Sequence, residues 1–181
     1  MINEVNKMKI VIVNGSPRKG NIYTAVQVLA EAAGKNNEVE IIEADKLNIS
    51  GCKGCGACQC MKGCIAKDDT NPTVDKLVAT DMIIFTTPVY WWGMTAQLKL
   101  VIDKCYCRGA VLRGKKIGTV VIGGASTDSV QYQIIDKQFE CMSQYLNWDI
   151  VFNKSYSANG LKDLAGNSVA MDELRKLGES L

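Results

Sequence analysis

Apolar positions in this chain fall into short unbroken runs, separated by stretches in which they recur at helical period. Residues 8–13 (Met8-Lys9-Ile10-Val11-Ile12-Val13) form one run, ended by Asn14-Gly15, as expected of a strand covered on both faces. Ile22, Val26, Leu29, Ala30 and Ala33 follow at helical spacing, with Gly34 placed to end the helix. Residues 39–42 read as a second strand, 74–78 as a short helix at most, and Met82-Ile83-Ile84-Phe85 as a third strand ending at Thr86-Thr87-Pro88. Leu98, Val101, Ile102 and Cys105 mark the inner stripe of the next helix. Residues 117–122 predict a fourth strand, stopped by Gly123-Gly124. A long helix is then expected, with Asp128 as N-cap and Ile135, Phe139, Met142 and Leu146 facing inward. Residues 149–152 predict a fifth strand and 171–177 a terminal helix. Between them, residues 47–69 have no period and carry five cysteines and four glycines, a loop with a purpose of its own.

Strands alternating with helices predict an α/β fold with a parallel sheet covered on both faces. Five strands suit the flavodoxin-like, doubly wound order 2-1-3-4-5. Ligands of such sheets bind at the carboxyl ends of the strands. The chain has no repeat or linker, so residues 1–181 read as a single domain with a Cys-rich loop at about 50–70.

Composition narrows the chemistry. Hydrophobic residues at 47% and charged residues at 22% are those of a soluble globular domain. The net charge of +2, with no basic run, predicts no nucleic-acid partner. The complete absence of histidine removes Ser-His-Asp, Cys-His and His-metal mechanisms together. Residues 1–7 carry no apolar leader core, and the longest apolar stretch, 82–94, is broken by Thr86, Thr87 and Pro88. No membrane association and a cytoplasmic location are therefore expected. There the eight cysteines act as ligands or redox groups more readily than as disulfides.

Three loops follow strands one, three and four. Residues 14–21 (Asn14-Gly15-Ser16-Pro17-Arg18-Lys19-Gly20-Asn21) lead into a helix N-terminus, which offers unpaired N–H groups and the positive end of a dipole. The Gly15–Gly20 spacing mimics a Walker A loop, but Asn21-Ile22 stands where Lys-Ser/Thr belongs, and no G-x-G-x-x-G is present. A terminal phosphate monoester and an ordinary polar strand–helix turn are the two remaining readings. Pro88-Val89-Tyr90-Trp91-Trp92-Gly93-Met94 sets three adjacent aromatics at a strand end, beside a flat ligand, against a partner subunit, or folded onto the core. Gly123-Gly124-Ala125-Ser126 forms the third wall.

Together these segments, with Gly93-Met94-x-Ala96-Gln97-Leu98-Lys99, resemble the NAD(P)H-dependent FMN reductase family, a branch of the flavodoxin-like flavoproteins. The resemblance runs over about residues 8–150 and is most specific from Pro88 to Lys99. It implies bound FMN and NAD(P)H as co-substrate. Ser16, Arg18, Asn21 and Ile22 would surround the phosphate, with Pro88, Val89, Tyr90, Trp91, Trp92 and Gly93 along the flavin ring and ribityl chain and Gly124 nearby. Ile22 replaces the Thr or Ser common in the family, leaving its backbone N–H as donor. The resemblance also implies a homodimer or homotetramer.

The Cys-rich loop reads Cys52-x2-Cys55-x2-Cys58-x-Cys60-x3-Cys64. Four thiolates at this density suit a [4Fe–4S] cluster or a Zn²⁺ ion, whereas a reversible disulfide or plain thiols are the other readings. Cys52, Cys55, Cys58 and Cys64 resemble the compact motif of the iron–sulfur flavoproteins, a subgroup of the same family; Cys60 is an extra thiol. Cys105 and Cys141 are expected to be buried on apolar helix faces, and Cys107 to be exposed at a helix end.

The leading expectation is an FMN-dependent oxidoreductase passing hydride from NAD(P)H to a small acceptor such as free flavin or a quinone, with no catalytic side chain. The alternatives are an iron–sulfur electron carrier exchanging electrons with a ferredoxin-like protein, and a non-catalytic flavodoxin-like interaction module.

Overall fold

A computed structural model describes residues 7–59 and 62–181. The leader reading at residues 1–6 and the extra thiol Cys60 lie outside the described residues. Five strands, β1 (Lys9–Asn14), β2 (Glu38–Glu43), β3 (Met82–Pro88), β4 (Lys116–Gly123) and β5 (Asp149–Ser157), form one all-parallel sheet in the order β2-β1-β3-β4-β5. This is the expected doubly wound, flavodoxin-like arrangement.

The alternation of strand side chains divides the core in two. Val11, Val13, Ile83, Phe85, Ile117 and Val121 pack with α2 (Thr70–Ala79), α3 (Ala96–Cys105) and α4 (Val130–Leu146). Ile10, Ile12, Met82, Ile84, Val120 and Ile122 pack with α1 (Asn21–Ala33) and α6 (Ser168–Glu179). Phe85 stacks at 5.4 Å on Phe139 and at 6.0 Å on Trp148, whose indole N–H donates to the Leu112 carbonyl. Central β3 is buried along its whole length, which is why its sequence reads as an unbroken run.

Several elements depart from their sequence-based expectations. β5 extends through Asn153–Ser157, because Phe152 and Tyr156 alone supply its buried face between polar residues. Its register on β4 shifts at Ile117/Gly118, where the Phe152 ring occupies the space a Cβ at Gly118 would need. α2 begins four residues early, since Pro72 lies in its first turn, where a missing N–H costs nothing. α4 is preceded by Ser129 as N-cap, not Asp128, whose carbonyl instead accepts a bond from the Gln133 amide. α6 starts at Ser168, capped by the Asn167 side chain through the Ala170 N–H, and is preceded by the short α5 (Asp163–Gly166). No described helix is long and apolar enough to cross a membrane.

Candidate functional site

At the carboxyl edge of the sheet, the loops after β1 and β3 are tied into one unit. Gly15 N–H donates to the Thr86 carbonyl at 2.8 Å, and the Thr95 hydroxyl donates to the Gly15 carbonyl at 2.6 Å. Thr95 also accepts the Leu98 N–H as the cap of α3. A Cβ at Gly15 would stand 2.6 Å from the Thr86 oxygen, so only glycine permits this approach. The sequence signal for Thr95 is that of an N-cap threonine ahead of an apolar stripe.

Within the first loop, Ser16 is buried, and its hydroxyl donates to the Arg18 carbonyl while accepting the Arg18 N–H. Arg18 is exposed and enters no ion pair among the described residues. Asn21 is committed elsewhere: its amide donates to the Gly160 carbonyl at 2.8 Å and its oxygen accepts the Leu164 N–H at 3.1 Å. Ile22 buries its side chain in the α1 face of the core, leaving only its backbone at the helix end. No side chain caps α1, so its first-turn N–H groups remain open to an anion.

In the loop after β3, Tyr90 and Gly93 exchange both backbone hydrogen bonds around Trp91-Trp92. Both tryptophans are left-handed, with φ +47° and +63°. Such a turn favours Asn-Gly, and each bulky residue placed there costs roughly 1–2 kcal/mol. Trp91 is nevertheless 92% exposed and Trp92 53% exposed, their rings edge-to-face at 5.4 Å. Two large apolar rings held outward at a conformational cost suit a flat ligand. Pro88 is buried at the end of β3, and the Val89 N–H donates to the Ile122 carbonyl, which sets the loop beside β4. The open helix end, the free guanidinium and the outward indoles together fit a phosphorylated planar group such as FMN.

A fourth wall was not anticipated. After β5, Asn159 stands within 2.9 Å of where a Cβ at Gly124 would lie, and Leu161 within 3.1 Å of one at Gly20. Asp163 ties this segment down by accepting from the Asn159 and Gly160 N–H groups.

The cysteine loop is closed at its neck. Asp68 accepts from the N–H and hydroxyl of Ser50 and from the Thr70 N–H, while Asp69 accepts from the Asn48 N–H. Desolvation pushes the Asp68 carboxyl up, but the bonds from Thr70 and Ser50 outweigh it and hold it well below the usual carboxylate range. Cys52, Cys55, Cys58 and Cys64 line one cavity of about 510 Å³, together with Lys104 and Tyr106. Cys52 and Cys55 are exposed, Cys58 and Cys64 half-buried, all as free thiols. Among the described residues, no three Cys, Asp or Glu side chains converge as a single metal ion would require. A cluster with separate iron corners spreads its thiolates farther apart than one tetrahedral ion does. By the chemistry of the donor set, four thiols and a buried lysine lining one cavity suit an anionic thiolate-ligated group.

Cys107, expected to be exposed, is 3% exposed, because α3 continues as a 3-10 turn (Tyr106–Arg108) that folds it inward. Burial, followed by the nearby Cys64 thiol, pushes the Cys107 thiol up. Burial likewise pushes Cys105 up to about 12, leaving both as protonated core thiols. Cys141, expected to be buried, is exposed, lying on the α4 face away from Phe139.

Known proteins resemble this chain in sequence and in fold. The sequence profile described as NADPH-dependent FMN reductase matches residues 8–155. An iron–sulfur flavoprotein of Methanosarcina thermophila is 29% identical over 191 residues, covering 96% of this chain and 95% of its own. An iron–sulfur flavoprotein of Archaeoglobus fulgidus is 35% identical over 130 residues, covering 69% of this chain; the match spans only 64% of that relative's length, and 54% of a second Archaeoglobus relative's. The structure of an NAD(P)H:quinone oxidoreductase from Methanothermobacter marburgensis superposes with a TM-score of 0.71 at 12% identity, covering 96% of each chain, and so shares the fold. With the profile covering most of its length and the sheet order in agreement, the chain belongs to the NADPH-dependent FMN reductase family of oxidoreductases.

Proposed function

We propose that this oxidoreductase is an iron–sulfur flavoprotein, with FMN at the carboxyl edge of the sheet and a [4Fe–4S] cluster on Cys52, Cys55, Cys58 and Cys64. The observation that carries the reading is the single cavity lined by all four thiols and by a buried lysine. The names of the Methanosarcina and Archaeoglobus relatives support it. In this reading FMN supplies one- or two-electron chemistry and the cluster one-electron chemistry.

The chain's own residues bind and orient. The first turn of α1 and Arg18 hold the phosphate. Trp91 and Trp92 would offer their rings to the flavin, with Pro88, Val89, Tyr90, Gly93 and Gly124 along its site. The Asn21 side chain acts at one remove, by fixing the segment around Gly160 over the phosphate loop. Hydride or electron transfer at a flavin needs no protein acid or base, in keeping with a chain that has no histidine. In this reading the partner would be a ferredoxin-like protein that exchanges single electrons, and the assembly a cytoplasmic homodimer or homotetramer.

A second reading keeps direct hydride transfer from NAD(P)H to a small acceptor, favoured by the 92% exposure of Trp91, which leaves room for a second planar molecule. A visible spectrum of anaerobically purified protein separates the two. The carrier reading expects flavin bands over a broad iron–sulfur background, bleached quickly by a reduced ferredoxin and slowly by NADPH. Rapid bleaching by NADPH, with no effect of added iron and sulfide, would establish the second reading instead.

A further inference from the structure

Lys104 is the one lysine in the inner stripe of α3, and its side chain is 4% exposed. An ammonium carries three donors, and burying it without acceptors costs several kcal/mol. Its nearest partners are the Cys64 sulfur at 3.7 Å and the Asp68 carboxylate at 3.9 Å, the latter beyond ordinary hydrogen-bond length. Among the described residues no other acceptor reaches its Nζ, which lies at the wall of the thiol cavity. Asp68 is moreover occupied in closing the loop through Ser50 and Thr70. The cation is thus paired with Asp68 only at long range, and its one hydrogen-bond acceptor among the described residues is the Cys64 sulfur.

Among the described thiols of the loop, Cys64 is the most firmly held. Asn71 accepts its N–H at 2.8 Å and donates to its carbonyl at 2.8 Å. Gly63, at φ +112°, makes room for this clamp, since a Cβ there would stand 2.6 Å from the Asn71 oxygen. The Cys64 sulfur accepts from the Ala66 N–H at 3.5 Å as well as from Lys104. Donors to a ligating sulfur and a nearby positive charge both favour the more reduced, more negative state of a cluster.

We infer that Lys104 is a positioning residue for the redox group of this loop, donating to the Cys64 thiolate and supplying the buried positive charge that raises its reduction potential. The inference rests on the cluster assignment made above. It concerns a residue outside the cysteine motif, on a different element of the fold.

The test is an anaerobic redox titration with dithionite as electron donor, on protein reconstituted with iron and sulfide, reading the cluster midpoint by electron paramagnetic resonance. Lys104→Met should lower the midpoint by at least a tenfold change in the reduction equilibrium, about 59 mV for one electron. Lys104→Arg, which keeps the charge, should stay near the wild type. A wild-type midpoint in Lys104→Met would overturn the inference and leave the cluster assignment standing. If wild-type protein takes up no iron or sulfide, both fall together. Where Lys104→Met holds no cluster, its recovery in Lys104→Arg supports the role of charge, and continued loss in Lys104→Arg overturns it in favour of packing alone.

Discussion

Replacing Trp91-Trp92 by Asn-Gly should stabilise the flavin-free protein while weakening its hold on FMN. Both residues sit left-handed in a two-residue turn closed by the paired Tyr90 and Gly93 bonds. Relieving two such conformations is worth about 2–4 kcal/mol. Losing the edge-to-face indole pair takes back about 0.5–1.5 kcal/mol, and some partial burial of Trp92 is lost as well. The net gain is about 1–2 kcal/mol, or roughly 2–8 °C in Tm for a chain of this size. Binding changes in the opposite sense. Each indole lying on the ring contributes about 0.5–1.5 kcal/mol beyond area, so Kd for FMN should rise about twofold to tenfold per ring. Calorimetry of the apoprotein and quenching of FMN fluorescence give the two numbers. A lower apoprotein Tm would refute the strain argument, and an unchanged Kd would remove the indoles from the flavin site.

Further outcomes follow from the same geometry. Arg18→Glu should leave the fold intact, because the side chain is exposed, while FMN affinity drops about tenfold or more through loss of a charge-assisted contact; equal affinity would clear Arg18 of the phosphate. Asn71→Ala should remove two bonds to the Cys64 backbone, costing about 1–3 kcal/mol in urea unfolding and reducing iron retention at equal FMN content; unchanged iron would show that the clamp is dispensable. Asp68 has a folded pKa below its unfolded value of about 3.9, so its stabilisation is present above that value and is lost as pH falls toward the folded one. The Tm difference between wild type and Asp68→Asn should therefore shrink below about pH 4, and a constant difference would contradict the carboxylate's role.

The buried strands were legible because a strand covered on both faces must be apolar throughout, as in Ile10–Val13 and Met82–Phe85. The order of the sheet followed from the alternation of elements, and the edge on which the candidate site is sought follows from that order. β5 was half legible, since an edge strand needs apolar residues at only a few positions, here Phe152 and Tyr156. The wall at Asn159 and Leu161 was hidden because polar loop residues carry no period. Cys107 and Cys141 exchanged their expected burial: a 3-10 continuation of α3 cannot be read from composition, and a cysteine two residues from Phe139 turns away from it. Lys104 does leave a sequence signal, a charged residue three positions after Val101 within an apolar stripe. Its partner Cys64 lies 40 residues earlier in the chain, and only the fold joins them.

The most direct test of the account is the iron, acid-labile sulfide and FMN content of anaerobically purified protein, measured beside a Cys58→Ser variant. Two separately built sites predict one FMN with about four iron and four sulfide per chain, the variant losing iron and sulfide while keeping FMN. FMN without iron or sulfide in the wild type, even after reconstitution, would contradict it.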